Sequence, residues 1–197
     1  TGGELAHGPW AEAADLSAET GVAKLFGRLD SVTGGRLDVF GGNAGVWNEA
    51  ARAVSELKVD EWKVVLVANL TSAFLTTREA LRRMGAGGRI ILISSTAAQR
   101  GEAGHAHYAA SKGALHSFVK SLAVEVGGRG ITVNAVGPTP IKTDLIRSVP
   151  QEKLDRLLGR QAVRRFGEYD DVSNVVDFFI RPESGFVTGQ TVYLGGV

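Results

Sequence analysis

An α/β fold with a mostly parallel sheet is predicted for this chain, because short apolar runs alternate with segments of helical periodicity. The 197 residues fit a single domain, residues 1–197, and are enough to bury a sizeable core. A loop containing Pro138 and Pro140 follows one predicted strand. Such loops lie at the carboxyl edge of the sheet, where α/β proteins bind their ligands.

The strand predictions rest on aliphatic runs that end at glycine, serine or proline. They cover residues 37–40, ending in Gly41-Gly42, and residues 89–94, 131–136 and 191–194, with a further candidate at 11–15. Helices are expected where apolar residues recur every three or four positions, at 18–32, 61–84, 108–126, 151–158 and 170–179.

The composition excludes several classes of function. The net charge is only +1 and the basic residues are scattered, so neither a nucleic-acid nor a membrane partner is expected. The chain has no cysteine, which excludes disulfides and thiolate chemistry. We see no signal peptide and no apolar run near the roughly 18 residues that span a bilayer, and a cytoplasmic location fits these observations.

The residues that point to chemistry are Tyr108 and Lys112. They are four positions apart in a predicted helix and therefore share a face. An ammonium held there favours the phenolate and lowers the tyrosine pKa below its usual value of about 10. Ser95 follows the strand 89–94 directly and can complete a proton-transfer site; Ser94 is the competitor, and the spacing from Tyr108 favours Ser95. The alternative is a partly buried aromatic and a solvated lysine on an amphipathic helix.

Together with Asn43-Ala44-Gly45 and Asn69 upstream, this order of residues resembles the short-chain dehydrogenase/reductase family. The resemblance implies a Rossmann-like doubly wound parallel sheet and NAD or NADP as cofactor. It implies that Tyr108 is the general acid/base, that Ser95 orients the substrate oxygen, and that Lys112 lowers the tyrosine pKa and holds the nicotinamide ribose. Asn69 would support a water that links the lysine to solvent; the alternative is a surface or capping asparagine.

The resemblance also implies contacts with the cofactor upstream of the catalytic residues. Small residues in Asn43-Ala44-Gly45 let the backbone approach a ligand closely, although Gly42 stands where the family has a first asparagine. Asp15 resembles the family's aspartate that contacts adenine. A role at the N-terminus of the helix 18–32 accounts for Asp15 equally well.

Pro138, Ile141 and Thr143 resemble the family's loop that fixes the nicotinamide amide, with Thr139 in place of the usual glycine. The glycine-rich turn that receives the pyrophosphate in this family is absent from the 197 residues. We therefore expect an N-terminally incomplete sheet without the family's first two strands, from either a piece of a longer protein or a truncated form. The residues that distinguish NAD from NADP follow the second of those strands, so the sequence leaves this choice open.

The expected function is oxidoreduction between a secondary alcohol and a ketone, and similarity over 108–123 and 137–143 favours 3-oxoacyl thioester substrates. The alternative is a truncated, non-catalytic family member that acts as an oligomer subunit or binding module. A homodimer or homotetramer is expected, because the helices 61–84 and 108–126 are apolar around much of their circumference. No metal is expected, since the four histidines lack ligand spacing with carboxylates. His105 and His107 are expected to flank the site entrance; solvent exposure is the favoured interpretation, and contact with substrate is the alternative.

Overall fold

The computed structural model describes residues 10–47, 50–142 and 149–196. The strands are β1 (Leu37–Gly42), β2 (Met84–Ile93), β3 (Thr132–Gly137) and β4 (Thr191–Tyr193). The helices are α1 (Glu19–Thr33), α2 (Val59–Leu66), α3 (Ser72–Arg83), α4 (Ala97–Arg100), α5 (Ala106–Val126), α6 (Gln151–Gly159) and α7 (Tyr169–Ile180). A π-helical segment, Val67–Thr71, joins α2 to α3 without a break.

The four strands form one parallel sheet in the order β1-β2-β3-β4. Parallel neighbours need crossover connections, and helices supply them between each pair of strands. All four carboxyl ends therefore lie at one edge of the sheet. The predicted parallel α/β sheet is confirmed.

Helices cover both faces of the sheet, as a doubly wound fold requires. On one face, α1, α3 and α5 pack on alternate residues of the central strands, including Ile90 and Leu92 of β2 and Val133 of β3. On the other face, α7 packs on Ile91 and Val136, which point the opposite way because side chains alternate along a strand. The two central strands are thus buried from both sides.

The candidate strand at 11–15 is wrong. Residues 10–15 form irregular chain that enters a turn before α1, and within the described residues no strand lies beside them to supply ladder hydrogen bonds. Among the residues that the structure describes, β1 pairs only with β2, and β1 therefore forms an edge of the sheet. Val39 of β1 is 43% exposed there, whereas every residue of β3 is buried.

The continuous helix Val59–Arg83 is long and apolar enough to cross a membrane, judged by length and composition alone. The core helix of a soluble protein passes the same test, so this is weak evidence for a membrane span. Leu75 and Ala80 of this helix belong to the core cluster on the sheet. Trp62, Val64 and Phe74 remain exposed on its surface.

Candidate active site

A cavity of about 730 Å³ opens at the carboxyl ends of β1, β2 and β3. Helices α5, α6 and α7 complete its walls. The predicted site residues that line it are Asn43, Gly45, Ser95, Tyr108, Lys112, Pro138 and Ile141. Residues far apart in sequence therefore meet in one crevice, because parallel strands end together.

Tyr108 lies in the first turn of α5, half-buried against the loop that follows β2. Burial raises the pKa of the Tyr108 phenol and the Glu102 carboxylate raises it further, whereas the neighbouring Ser95 hydroxyl lowers it. The Ser95 hydroxyl also accepts a hydrogen bond from the Ala97 amide at 3.1 Å, which fixes it at the start of α4. Ser95 and Tyr108 thus form a hydroxyl pair at the cavity wall.

Lys112 lies one turn after Tyr108 and is only 6% exposed. Its ammonium donates to the Ile93 carbonyl over 2.8 Å, and burial lowers the pKa of Lys112 to about 8. The expected lowering of the Tyr108 pKa by Lys112 is not seen in this structure, because burial of the phenol outweighs the other influences on it. Lys112 is therefore a buried cation, and among the described residues its hydrogen-bond acceptor is the Ile93 backbone carbonyl.

Asn69 lies in the π-helical segment and is 1% exposed, so the alternative of a surface asparagine is excluded. Its amide oxygen accepts from the Val46 amide at 2.6 Å, and its amide nitrogen donates to the Val46 carbonyl at 3.0 Å. The same nitrogen donates to the Ser111 hydroxyl at 2.9 Å. Asn69 therefore ties the loop after β1 to α5, beside the turn that carries Tyr108 and Lys112.

The turn Asn43-Ala44-Gly45 follows β1, and its three residues are exposed. Asn43 and Gly45 line the cavity, whereas Ala44 does not. A Cβ on Gly45 would lie 2.9 Å from Asn69 Oδ1 and 3.3 Å from Lys112 Nζ. The absence of a side chain at Gly45 is therefore what lets this turn approach the amide and the ammonium.

Replacing Gly45 by alanine is expected to destabilise the protein by about 1–3 kcal/mol, because the new methyl displaces the buried Asn69 amide. Gly41→Ala is the matched control, since a Cβ at that neighbouring strand end meets nothing within 4 Å. Urea unfolding of both variants measures the difference. Equal stability of the two variants would contradict the tight packing at Gly45.

Pro138 and Ile141 follow β3 at the same edge of the sheet. The Pro138 carbonyl accepts from the Thr96 amide at 3.0 Å, which joins this loop to the loop that carries Ser95. Ile141 forms an isolated parallel bridge with Gly167. Thr143, predicted to act with them, lies outside the described residues.

Comparison with known proteins bears on what this cavity does. The family model described as enoyl-(acyl carrier protein) reductase matches residues 4–196. The 3-oxoacyl-(acyl-carrier-protein) reductase FabG of Pseudomonas aeruginosa is 37% identical over 184 residues, which are 92% of this chain and 73% of that protein. The chain belongs to the short-chain dehydrogenase/reductase family.

Further relatives agree with this membership. Acetoacetyl-CoA reductase of Shinella zoogloeoides is 36% identical over 179 residues, 89% of this chain and 71% of that protein. A short-chain dehydrogenase/reductase from Serratia marcescens superposes with a TM-score of 0.85 at 34% identity, over 93% of this chain and 74% of the other. A blue fluorescent protein from a metagenomic library, solved in complex with NADPH, gives 0.84 at 33% identity, over 93% and 73%.

Membership in the short-chain dehydrogenase/reductase family confirms three predictions: the Rossmann-like sheet, oxidoreductase activity, and use of NAD(P)(H). The cavity fits the nicotinamide end of such a cofactor. Gly41 and Gly45 leave backbone accessible at one wall, and Lys112 presents a buried ammonium there. No group of three or more metal-ligating side chains occurs in the described ranges.

Asp15 does not line the cavity. Its exposed carboxylate accepts hydrogen bonds from the amide and the hydroxyl of Ser17, at 2.9 and 2.5 Å, and these bonds lower the pKa of Asp15. This is the geometry of a turn that leads into α1. The structure thus places Asp15 in the turn ahead of α1, where its side chain does not cap the helix, and its contact with adenine stays a prediction.

The expected exposure of His105 and His107 is wrong: they are 0% and 1% exposed. The His105 ring stacks on Trp47 at 4.9 Å between centroids, and His107 stacks behind it at 6.4 Å. Their polarity suggested solvent contact, but the aromatic cover from the loop after β1 depends on tertiary packing. Burial lowers the pKa of His107, so the neutral imidazole is favoured.

The wall of the cavity that α6 provides was not predicted from the sequence. Leu154 and Leu157, three positions apart, both line it, together with Val176 of α7. Their spacing was visible as helical periodicity. Nothing in the sequence showed that this face would turn toward a cavity.

Proposed function

We propose that this protein reduces a 3-oxoacyl thioester to the 3-hydroxyacyl form in the cytoplasm, with NADH or NADPH as the hydride donor. The carrying observation is that Ser95, Tyr108 and Lys112 line one cavity at the carboxyl edge of the sheet. The names of the two curated relatives, a 3-oxoacyl reductase and an acetoacetyl-CoA reductase, support this substrate class. Leu154 and Leu157 offer an apolar surface to an acyl chain.

The chemistry divides between the cofactor and the protein. When bound, the nicotinamide supplies a hydride to the carbonyl carbon of the substrate. The Ser95 hydroxyl donates a hydrogen bond to the carbonyl oxygen and orients it. The Tyr108 hydroxyl donates its proton to that oxygen, and the Lys112 ammonium stabilises the resulting phenolate.

The remaining predicted residues have supporting roles in this proposal. Lys112 also holds the nicotinamide ribose, and Asn69 supports the water through which the lysine exchanges protons with solvent. The turn Asn43-Ala44-Gly45 borders the cofactor, Pro138, Ile141 and Thr143 hold the nicotinamide amide, and Asp15 contacts the adenine.

A homodimer or homotetramer is proposed as the working form. Trp62, Val64 and Phe74 of the helix Val59–Arg83 are 37%, 63% and 44% exposed, and burial against a second copy would remove this apolar surface from water. Light scattering of the purified protein measures the assembly. A monomer at micromolar concentration would contradict this part of the proposal.

The test of function combines calorimetric titration with NADH and NADPH and an assay of acetoacetyl-CoA reduction. We expect binding of at least one nucleotide and turnover that Ser95→Ala lowers about 100-fold, because one oriented hydroxyl is lost. Ser31→Ala, an exposed serine on α1, is the matched control. Binding of neither nucleotide would overturn the proposal in favour of a non-catalytic family member.

A further inference from the structure

A chain of hydrogen bonds lies directly behind the candidate active site. The Tyr193 hydroxyl on β4 is 3.1 Å from His116 Nδ1 and 3.4 Å from Nε2, and the two rings meet edge-on. His116 Nε2 is 2.7 Å from the Ser94 hydroxyl. The Ser94 hydroxyl donates to the Lys112 carbonyl over 3.0 Å. Three elements, β4, α5 and the end of β2, are thereby connected.

The number of protons that these side chains carry decides which group donates in each hydrogen bond. Ser94 has one hydroxyl proton, and it goes to the Lys112 carbonyl. His116 therefore donates from Nε2 to the Ser94 oxygen, which leaves Nδ1 unprotonated in the neutral ring. The Tyr193 oxygen lies at similar distances from both ring nitrogens and so packs against the ring away from the Nδ1 lone-pair axis. The required state is neutral, protonated on Nε2. Burial and the nearby Lys120 ammonium both lower the pKa of His116, which favours this neutral state.

The residues at both ends of this series of contacts adjoin residues that line the candidate active site. Ser94 is 3% exposed and immediately precedes Ser95. The Lys112 carbonyl belongs to the residue whose ammonium faces the cavity. The Tyr193 ring packs on Gly137, where an added Cβ would lie 2.6 Å from the ring, and Gly137 immediately precedes Pro138. His116 itself does not line the cavity, so it acts only through these neighbours.

We propose that His116 is a positioning residue: as the neutral imidazole protonated on Nε2, it sets the distance between the serine that orients the substrate and the helix turn that carries Tyr108 and Lys112. The inference rests on the proposed function for its catalytic consequence. The hydrogen-bonded chain itself is a property of the folded protein and can be tested without substrate.

The kinetic test compares His116→Leu with His116→Gln in the reduction of acetoacetyl-CoA. We expect the leucine variant to lose about tenfold in kcat with little change in KM, since orientation and not binding is affected. Glutamine should restore most of kcat, because its amide can donate to the Ser94 oxygen. Ser117→Ala, an exposed neighbour on α5, is the control. A full kcat in the leucine variant, or equal losses with leucine and glutamine, would overturn the proposal.

The second test uses NMR of the complete protein and needs no turnover. Nitrogen shifts of His116 should show the Nε2-protonated form, and Ser94→Ala should abolish this preference. Carbon shifts of Tyr108, assigned with Tyr108→Phe, should show an upward shift of its pKa in His116→Leu, because the Ser95 hydroxyl that lowers it is displaced. An unchanged Tyr108 pKa would refute the positioning role. If the His116 and Tyr108 shifts are as expected but the protein does not reduce acetoacetyl-CoA, the proposed function is refuted and the positioning role of His116 stands.

Discussion

Tyr108→Phe is expected to lower kcat by a factor of about 10² to 10⁴, the range that a positioned proton donor contributes. The phenol is the hydroxyl that lies beside Ser95 at the cavity wall, and phenylalanine keeps the ring while removing the proton that we propose is transferred. The assay is the rate of nucleotide oxidation in the presence of acetoacetyl-CoA.

The fold should survive this change, because the Tyr108 ring stays in place. Circular dichroism and the unfolding midpoint check the fold, and calorimetry checks that nucleotide binding is retained. Tyr169 of α7 is 70% exposed and also lines the cavity, so Tyr169→Phe is the control that removes a second phenol from the same site. Near-full activity of Tyr108→Phe would show that another group transfers the proton.

Lys112→Met should lower kcat about 100-fold or more, since it removes the cation that we propose stabilises the phenolate.

The same variant tests the burial of the Lys112 ammonium through the pH dependence of stability. The folded protein releases the Lys112 proton near pH 8, whereas the unfolded chain holds it until about 10.5. Between these values the unfolded state binds more protons, so the free energy of unfolding rises with pH.

The increase in the free energy of unfolding that Lys112 contributes has a slope of about 1.4 kcal/mol per pH unit and is complete above pH 10.5. Below pH 8 Lys112 is charged in both the folded and the unfolded protein, so it no longer changes the free energy of unfolding with pH. The methionine variant lacks this titration, so the stability of wild type relative to Lys112→Met should grow between pH 8 and 10.5. Lys120→Met, on an exposed lysine of α5, should show no such growth; a flat difference for Lys112→Met would contradict its buried charge.

The sequence was sufficient for features set by local periodicity and by the shared edge of parallel strands. Strands β2 and β3 were predicted from aliphatic runs alone, and Ser95, Tyr108 and Lys112 do line one cavity. The strand at 11–15 failed because a strand needs a hydrogen-bonded neighbour, which its own residues do not specify.

Features that depend on what covers a side chain were out of reach of the sequence. The π-helical turn at Asn69 adds a residue to a helix whose periodicity looks regular. His105 and His107 look like surface residues until Trp47 is placed over them. The raised pKa of Tyr108 likewise reflects burial, which the four-residue spacing to Lys112 could not reveal.

The paired hydrogen bonds between the Asn69 side chain and Val46 have a consequence for affinity. They use both backbone groups of one loop residue, as an adjacent strand would. The segment after β1 therefore already holds its conformation before any molecule arrives. Association then sacrifices less conformational entropy, and more of the contact energy remains as affinity.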